Sequence, residues 1–165
     1  MGAAGEEFDS WYRRVHPLLG AALYLIAGSS NRAAVAADEA LARALADWPR
    51  VSAMAAPEAW TYRVAANYVH RSLRRRALEA RLLRRMPPLA PPPPSQVELW
   101  DLVARLPLRQ RTAVVLRYVA DLPEAEIAVA MRITRGTVAS SLARAQRRLA
   151  ELLESEGESE GAVRG

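Results

Sequence analysis

The chain has 165 residues, a formal net charge of +5 and a pI of about 10.4, and every one of its 23 basic residues is Arg. It has no Cys, and its only two His, His16 and His70, stand far apart, which argues against disulfides, thiol chemistry, a metal centre or a His-based catalytic triad. The length suits one medium domain or two small ones, the basic balance favours a polyanionic partner, and neither a signal peptide nor a membrane-length apolar run is present, so a soluble cytoplasmic protein is expected.

Residues 8 to 85 carry helical periodicity and almost no strand signal. Phe8, Trp11, Val15, Leu18, Leu19 and Ala22 mark one apolar stripe, with Asp9 or Ser10 as its cap, and Pro17 predicts a kink or break within it. Gly28-Ser29-Ser30-Asn31 is a turn cluster. From Arg32 to Trp48 an Ala-rich helix is expected, with Val35, Leu41, Leu45 and Trp48 on its buried face and Trp48-Pro49 as its end. Arg50 to Ala56 reads as a loop, and Pro57 sits at the first position of the next helix. That helix holds Trp60, Tyr62 and Tyr68 beside an Arg-dense run that begins at Arg63. Basic groups interleaved with aromatics suit a surface that follows phosphates and stacks exposed bases, although a charged run is more often a solvated face.

Residues 86–95, MPPLAPPPPS, hold six of the chain's eleven prolines. Polyproline favours a stiff extended form at roughly 3.1 Å per residue, so the stretch reads as a spacer of about 30 Å, with a Pro-rich ligand for a partner module as the alternative. A second helical block follows, with VELWDLVARL, then LRQRTAVVLRYVADL, then LPEAEIAVAMRITRGTVASSLARAQRRLAELL. In this last segment Ile127, Ala128 and Met131 form the apolar face of a short helix. Thr134 offers a hydroxyl cap to a second helix. Val138, Leu142, Ala145 and Leu149 line one side of that helix, while Thr137, Ser140, Arg144 and Arg147 line the other. Two helices joined by about three residues, with Arg, Ser and Thr presented in front, form the layout of a DNA-reading helix-turn-helix; an ordinary amphipathic hairpin is the alternative. The tail after Leu153 is acidic and rich in Gly and Ser, and is expected to be disordered. The fold class expected is therefore all-α: a helical domain over 1–85, a Pro-rich linker over 86–95, a helix-turn-helix domain over 96–153 and a tail over 154–165.

These segments carry a family resemblance. LPLRQRTAVVLRYVADLPEAEIAVAMRITRGTVASSLARAQRRL resembles the fourth region of bacterial sigma factors of the extracytoplasmic-function (ECF) type, and DEALARALADWPRV with PEAWTYRVAANYVHRSLRRR resembles their second region. The resemblance covers roughly residues 8 to 153 and implies an alternative sigma factor, of actinobacterial type, that needs no cofactor. It implies that core RNA polymerase is a partner, through the clamp helices of its largest subunit and the flap of the second-largest. Promoter DNA and an anti-sigma factor are further partners, and no membrane insertion is expected. Asp38, Glu39, Leu41, Ala42, Leu45 and Trp48 would lie in the polymerase-docking segment, with Leu45 and Trp48 read foremost as core. The loop from Arg50 and the face with Trp60, Tyr62, Arg63 and Asn67 would meet the opened −10 strand, Asn67 offering an amide to a base edge, while Arg71, Arg74, Arg75 and Arg76 track phosphate. Arg135, Thr137, Ser140, Ser141, Arg144 and Arg147 would address the −35 element in the major groove, with Arg148 toward phosphate.

The chain departs from the family pattern at several points. Arg132 stands where the turn has Gly, so its backbone must avoid positive φ or accept strain. Ala139 and Ser141 replace basic residues, and Leu41 stands where an aromatic is usual. The rival reading is a helix-turn-helix regulator that acts without polymerase; the Arg-rich aromatic helix at 60–76 argues against it. A third class, an enzyme, has little support in the sequence, which offers no paired carboxylates in a defined setting, phosphate-binding Gly loop or metal constellation.

Overall fold

The computed structural model describes residues 3–82 and 99–163, and among them every regular element is a helix. The N-terminal block holds α1 (Ala3–Ala27), α2 (Ser30–Ala46), α3 (Trp48–Ser52) and α4 (Pro57–Leu82); the C-terminal block holds α5 (Leu99–Ala104), α6 (Leu108–Tyr118), α7 (Glu124–Met131) and α8 (Arg135–Val163). The Pro-rich stretch 86–95 and the spacer expected there lie outside the described residues.

Local chemistry accounts for the helix ends. Gly28 takes φ +62, which glycine adopts without steric cost, and its N–H closes onto the Tyr24 carbonyl at 2.8 Å. Arg32 donates to the Ala27 carbonyl at 3.0 Å, and the Ser29 hydroxyl accepts the Arg32 N–H to cap α2. α1 continues through Pro17 without a break. Pro17 is exposed, so the carbonyl one turn earlier that loses its partner is open to water, while Val15 and Leu19 on the other side are buried. Trp48-Pro49 does not simply end a helix: α2 stops at Ala46, and Pro49 sits in the first turn of the short α3, which takes up the first three residues of the expected loop.

The buried stripe of α2 differs from the expected one. Val35 and Leu45 are exposed, and the face toward α1 and α4 is Ala33, Ala36, Ala37, Ala40, Leu41 and Ala44. Small side chains let the helix axes approach closely, so alanine serves as core here although its hydrophobicity is slight. Beside it, Phe8, Trp11 and Trp48 form an aromatic cluster, with Trp48 edge-on to Phe8 at 5.1 Å and 4.9 Å from Trp11. The Trp11 indole N–H donates to Glu58 at 3.1 Å.

In the C-terminal block α6 and α7 pack against α8, whose Val138, Leu142 and Ala145 are buried. α8 does not stop at Leu153 but runs on as helix to Val163; buried Leu152 and an ion pair between Arg105 and Glu156 hold the start of this extension, which departs from the tail expected from residue 154.

The two blocks pack on each other, α7 against α4 and α6 against α1, and buried apolar residues run continuously from one block into the other. Two polar contacts pin this seam. Arg111 donates to the Ile26 carbonyl at 3.3 Å, and His70 Nε2 lies 3.1 Å from the Thr112 hydroxyl. Thr112 spends its one hydroxyl hydrogen on the Leu108 carbonyl at 2.7 Å, so the imidazole is the donor and its proton sits on Nε2. Burial holds the His70 pKa below its ordinary value of 6.5, and Arg74, Arg109 and Arg111 push it the same way. A group with a lowered folded pKa binds its proton more readily when released. The seam is therefore complete above 6.5 and weakens as pH falls through the lowered value. The thermal midpoint of the wild type is expected to drop between about pH 7 and 5. His70→Gln, which keeps a donor but does not titrate, flattens that difference; an unchanged pH profile in this variant would separate His70 from the seam.

Candidate nucleic-acid interface

The first surface is the outer side of α8. The N-terminal cap forms as expected: the Thr137 N–H donates to the Thr134 hydroxyl at 3.2 Å, the two hydroxyls lie 2.8 Å apart, and Ser140 donates to the Thr137 carbonyl at 3.1 Å. Burying Val138, Leu142 and Ala145 turns Arg135, Thr137, Ser140, Arg144 and Arg147 outward, all exposed. Ser141 is half-buried at the edge of this face. Arg135, Arg144 and Arg147 have no carboxylate partner among the described residues, whereas Arg148 pairs with Glu151 at 3.1 Å. Exposed guanidinium groups, unpaired and on one helix face, supply donors in the fork geometry that suits phosphate and guanine edges.

The turn before this helix takes the second of the two options open to Arg132. The residue sits at φ 56 and ψ 47, in the left-handed region, and its N–H closes onto the Val129 carbonyl at 3.3 Å. An L-residue there costs about 1–2 kcal/mol.

The second surface is α4. Tyr62 is buried, with its pKa pushed above the ordinary phenol range first by burial and then by Glu58; Trp60 is buried as well, so neither ring is presented to solvent in this arrangement. Arg63 and Asn67 are half-buried, and Arg71, Arg74 and Arg75 are exposed. Arg75 pairs with Glu79 at 3.2 Å, and Arg74 turns back to the His70 carbonyl at 3.4 Å. Trp60, Arg63, Asn67, Tyr68 and Arg71 border a cavity of about 330 Å3, and on its rim stands Arg132, contributed by the other block. Burial lowers the Arg63 pKa, and the like charges of Arg132 and Arg50 lower it further.

The third surface is the outer side of α2. Asp38, Ala42 and Leu45 are exposed, with Val35 one turn earlier on the same stripe; Leu45 is 56 % exposed. Glu39 pairs with Arg43 at 2.8 Å. Leu41 and Trp48 are core, and the Trp48 indole N–H is buried without an acceptor among the described residues. Sequence periodicity assigned Val35 and Leu45 to the interior because they are the large apolar residues of α2; the run of alanines was the signal for the true inner face. Arg43 and Arg132 were not read as site residues, since only the packing of α7 on α4 brings Arg132 to the cavity.

No helix among the described residues is long and apolar enough to cross a membrane. Residues 96–149 match the family model described as sigma-70, region 4. Across nearly the whole chain the fold is similar to that of the sigma factor RpoE from Bartonella quintana, solved in complex with the anti-sigma factor NepR: the TM-score is 0.75 at 20% sequence identity, covering 90% of this chain and 98% of that one. No curated protein matches the chain by sequence.

Proposed function

We propose that this chain is an alternative sigma factor of the ECF type that divides promoter recognition between its two blocks, with α8 reading the −35 element and α4 taking the opened −10 strand. The observation that supports this most directly is the position of the region 4 match: it falls on the helix-turn-helix whose exposed face carries three arginines with no carboxylate partner among the described residues. Arg135, Thr137, Ser140, Ser141, Arg144 and Arg147 would meet base edges and Arg148 phosphate, while Arg63, Asn67, Arg71, Arg74 and Arg75 follow the single strand. Trp60 and Tyr62 would then support this face from beneath. The stripe Val35, Asp38, Ala42 and Leu45 docks on core polymerase, for which the clamp helices of the largest subunit are the proposed site, with the flap of the second-largest taking the helix-turn-helix block. An anti-sigma factor is a further proposed partner.

The chemistry requires polymerase. Unpairing DNA costs on the order of 1.4 kcal/mol per stacked step, which two small basic surfaces on one chain do not supply alone. The test is to add the purified protein to core polymerase and map transcript starts on genomic DNA. Starts that share an upstream element support the reading. Tight, specific operator binding by the free protein, with no association with polymerase, would replace it with a repressor.

Arg144→Ala separates base reading from phosphate holding. A base contact predicts a loss of about 1–3 kcal/mol on the cognate upstream element and little on scrambled DNA. Equal loss on both sequences would make Arg144 an electrostatic contact only.

A further inference from the structure

The cavity between α4 and the α7–α8 turn gathers more positive charge than the α4 surface alone provides, because Arg132 enters it from the other block. Arg43, Arg50, Arg63, Arg71 and Arg132 all border it, and the one carboxylate on its wall, Glu39, is already paired with Arg43. Arg50 is held by Asp47. That leaves Arg63, Arg71 and Arg132 without a carboxylate among the described residues. Two of these belong to one block and the third to the other, so closing the seam brings like charges together in a partly desolvated space.

Arg132 adds a second observation. Its backbone is left-handed, where an L-residue is strained and glycine is not. Strain kept at a position that delivers a charged group points to a use for that group. A bound anion with several oxygens would accept from guanidinium donors on both blocks at once and would cancel the repulsion between them. The Asn67 amide and the exposed Tyr68 complete a wall of donors, and about 330 Å3 holds a diphosphate with water around it.

We propose that this cavity binds a small oligophosphate, which bridges Arg63 and Arg71 on α4 to Arg132 on the turn and holds the two blocks closed. The binding site stands independently of the promoter reading. Its consequence rests on that reading: the same α4 face cannot take a single strand while the turn and its ligand cover it, so the oligophosphate would keep the free protein from DNA until polymerase separates the blocks.

Inorganic pyrophosphate is the probe. The chain lacks Cys, so Asn31→Cys and Ala143→Cys, both at exposed positions, allow a fluorophore pair to report the distance between blocks in the full-length protein. Pyrophosphate is expected to bring the labels together and to raise the thermal midpoint. Arg132→Gly should weaken its binding about tenfold, the loss of one charge-assisted contact. This variant relieves the backbone, so a loss of fold does not explain the effect. Arg63→Gln should act alike, and Arg13→Gln, which removes an equal charge far from the cavity, should not. Equal weakening by Arg13→Gln, or no response of the wild type, would overturn the proposal. A single-stranded oligonucleotide is expected to oppose closure; if it closed the blocks as pyrophosphate does, the cavity would be a DNA-phosphate site and the small-ligand proposal would fall. Pyrophosphate closure without polymerase-dependent transcription would sink the promoter reading alone, and the reverse pattern would sink this one alone.

Discussion

Leu45→Glu is expected to abolish polymerase-dependent transcription while leaving the protein folded. Leu45 is 56 % exposed in the free chain, so a carboxylate there remains hydrated and costs the fold little. On docking, the same carboxylate would be buried at the C-terminal end of the Val35–Asp38–Ala42–Leu45 stripe. Burying a charge there without a partner costs on the order of 2–5 kcal/mol, roughly a thirtyfold or greater loss of affinity. Co-purification with core polymerase, circular dichroism and run-off transcription measure the three quantities separately. Leu41→Glu is the contrasting variant: Leu41 is 5 % exposed against α1 and α4, so it should unfold the N-terminal block rather than disable a surface. A Leu45→Glu protein that still binds polymerase and transcribes at the wild-type level would remove this stripe from the docking surface.

Trp48→Ala is expected to cost about 3–5 kcal/mol of stability. The indole sits edge-on to Phe8 and against Trp11, and it closes the end of the block where α3 turns back toward α4. Removing it leaves a cavity bordered by two rings that cannot collapse without shifting α1. Trp48→Phe keeps most of the contact area and deletes the indole N–H, which has no acceptor. It should therefore recover most of the loss. Urea titration of the three proteins provides the comparison; an alanine variant within about 1 kcal/mol of wild type would mean that the cluster is not a unit of the core.

How far the sequence could be read depended on whether a signal was local. The helix-turn-helix was legible because its period, its Thr134 cap and the sides assigned to Val138 and Arg144 all lie within one short segment. Pro57 at the start of α4 was legible for the same reason. In α2 the large apolar residues point to the wrong face, because close helix packing selects alanine for the inner one. Pro17 signalled a break, but whether a proline breaks a helix depends on where the freed carbonyl points, which is a tertiary fact. The seam was not legible at all. Thr112 and Arg111 meet His70 and Ile26 across 42 and 85 residues, and no local pattern announces a contact of that separation. For this reason the rim of the cavity lacked Arg132, and Trp60 and Tyr62 were assigned to a surface under which they are packed.

The alanine stripe of α2 also bears on how this protein can change over generations. Ala33, Ala36, Ala37, Ala40 and Ala44 are buried, so a larger side chain would push helix axes apart, and shrinking to glycine would cost about 1 kcal/mol each in helix propensity. Drift in this helix is therefore confined to its outer side. Val35, Asp38, Ala42 and Leu45 can be replaced without disturbing what lies beneath, so the fold leaves the proposed docking surface free to change and only a partner would constrain it. Two descendants of this chain that met different partners would then differ in what α2 touches before they differed in the angle at which it is held.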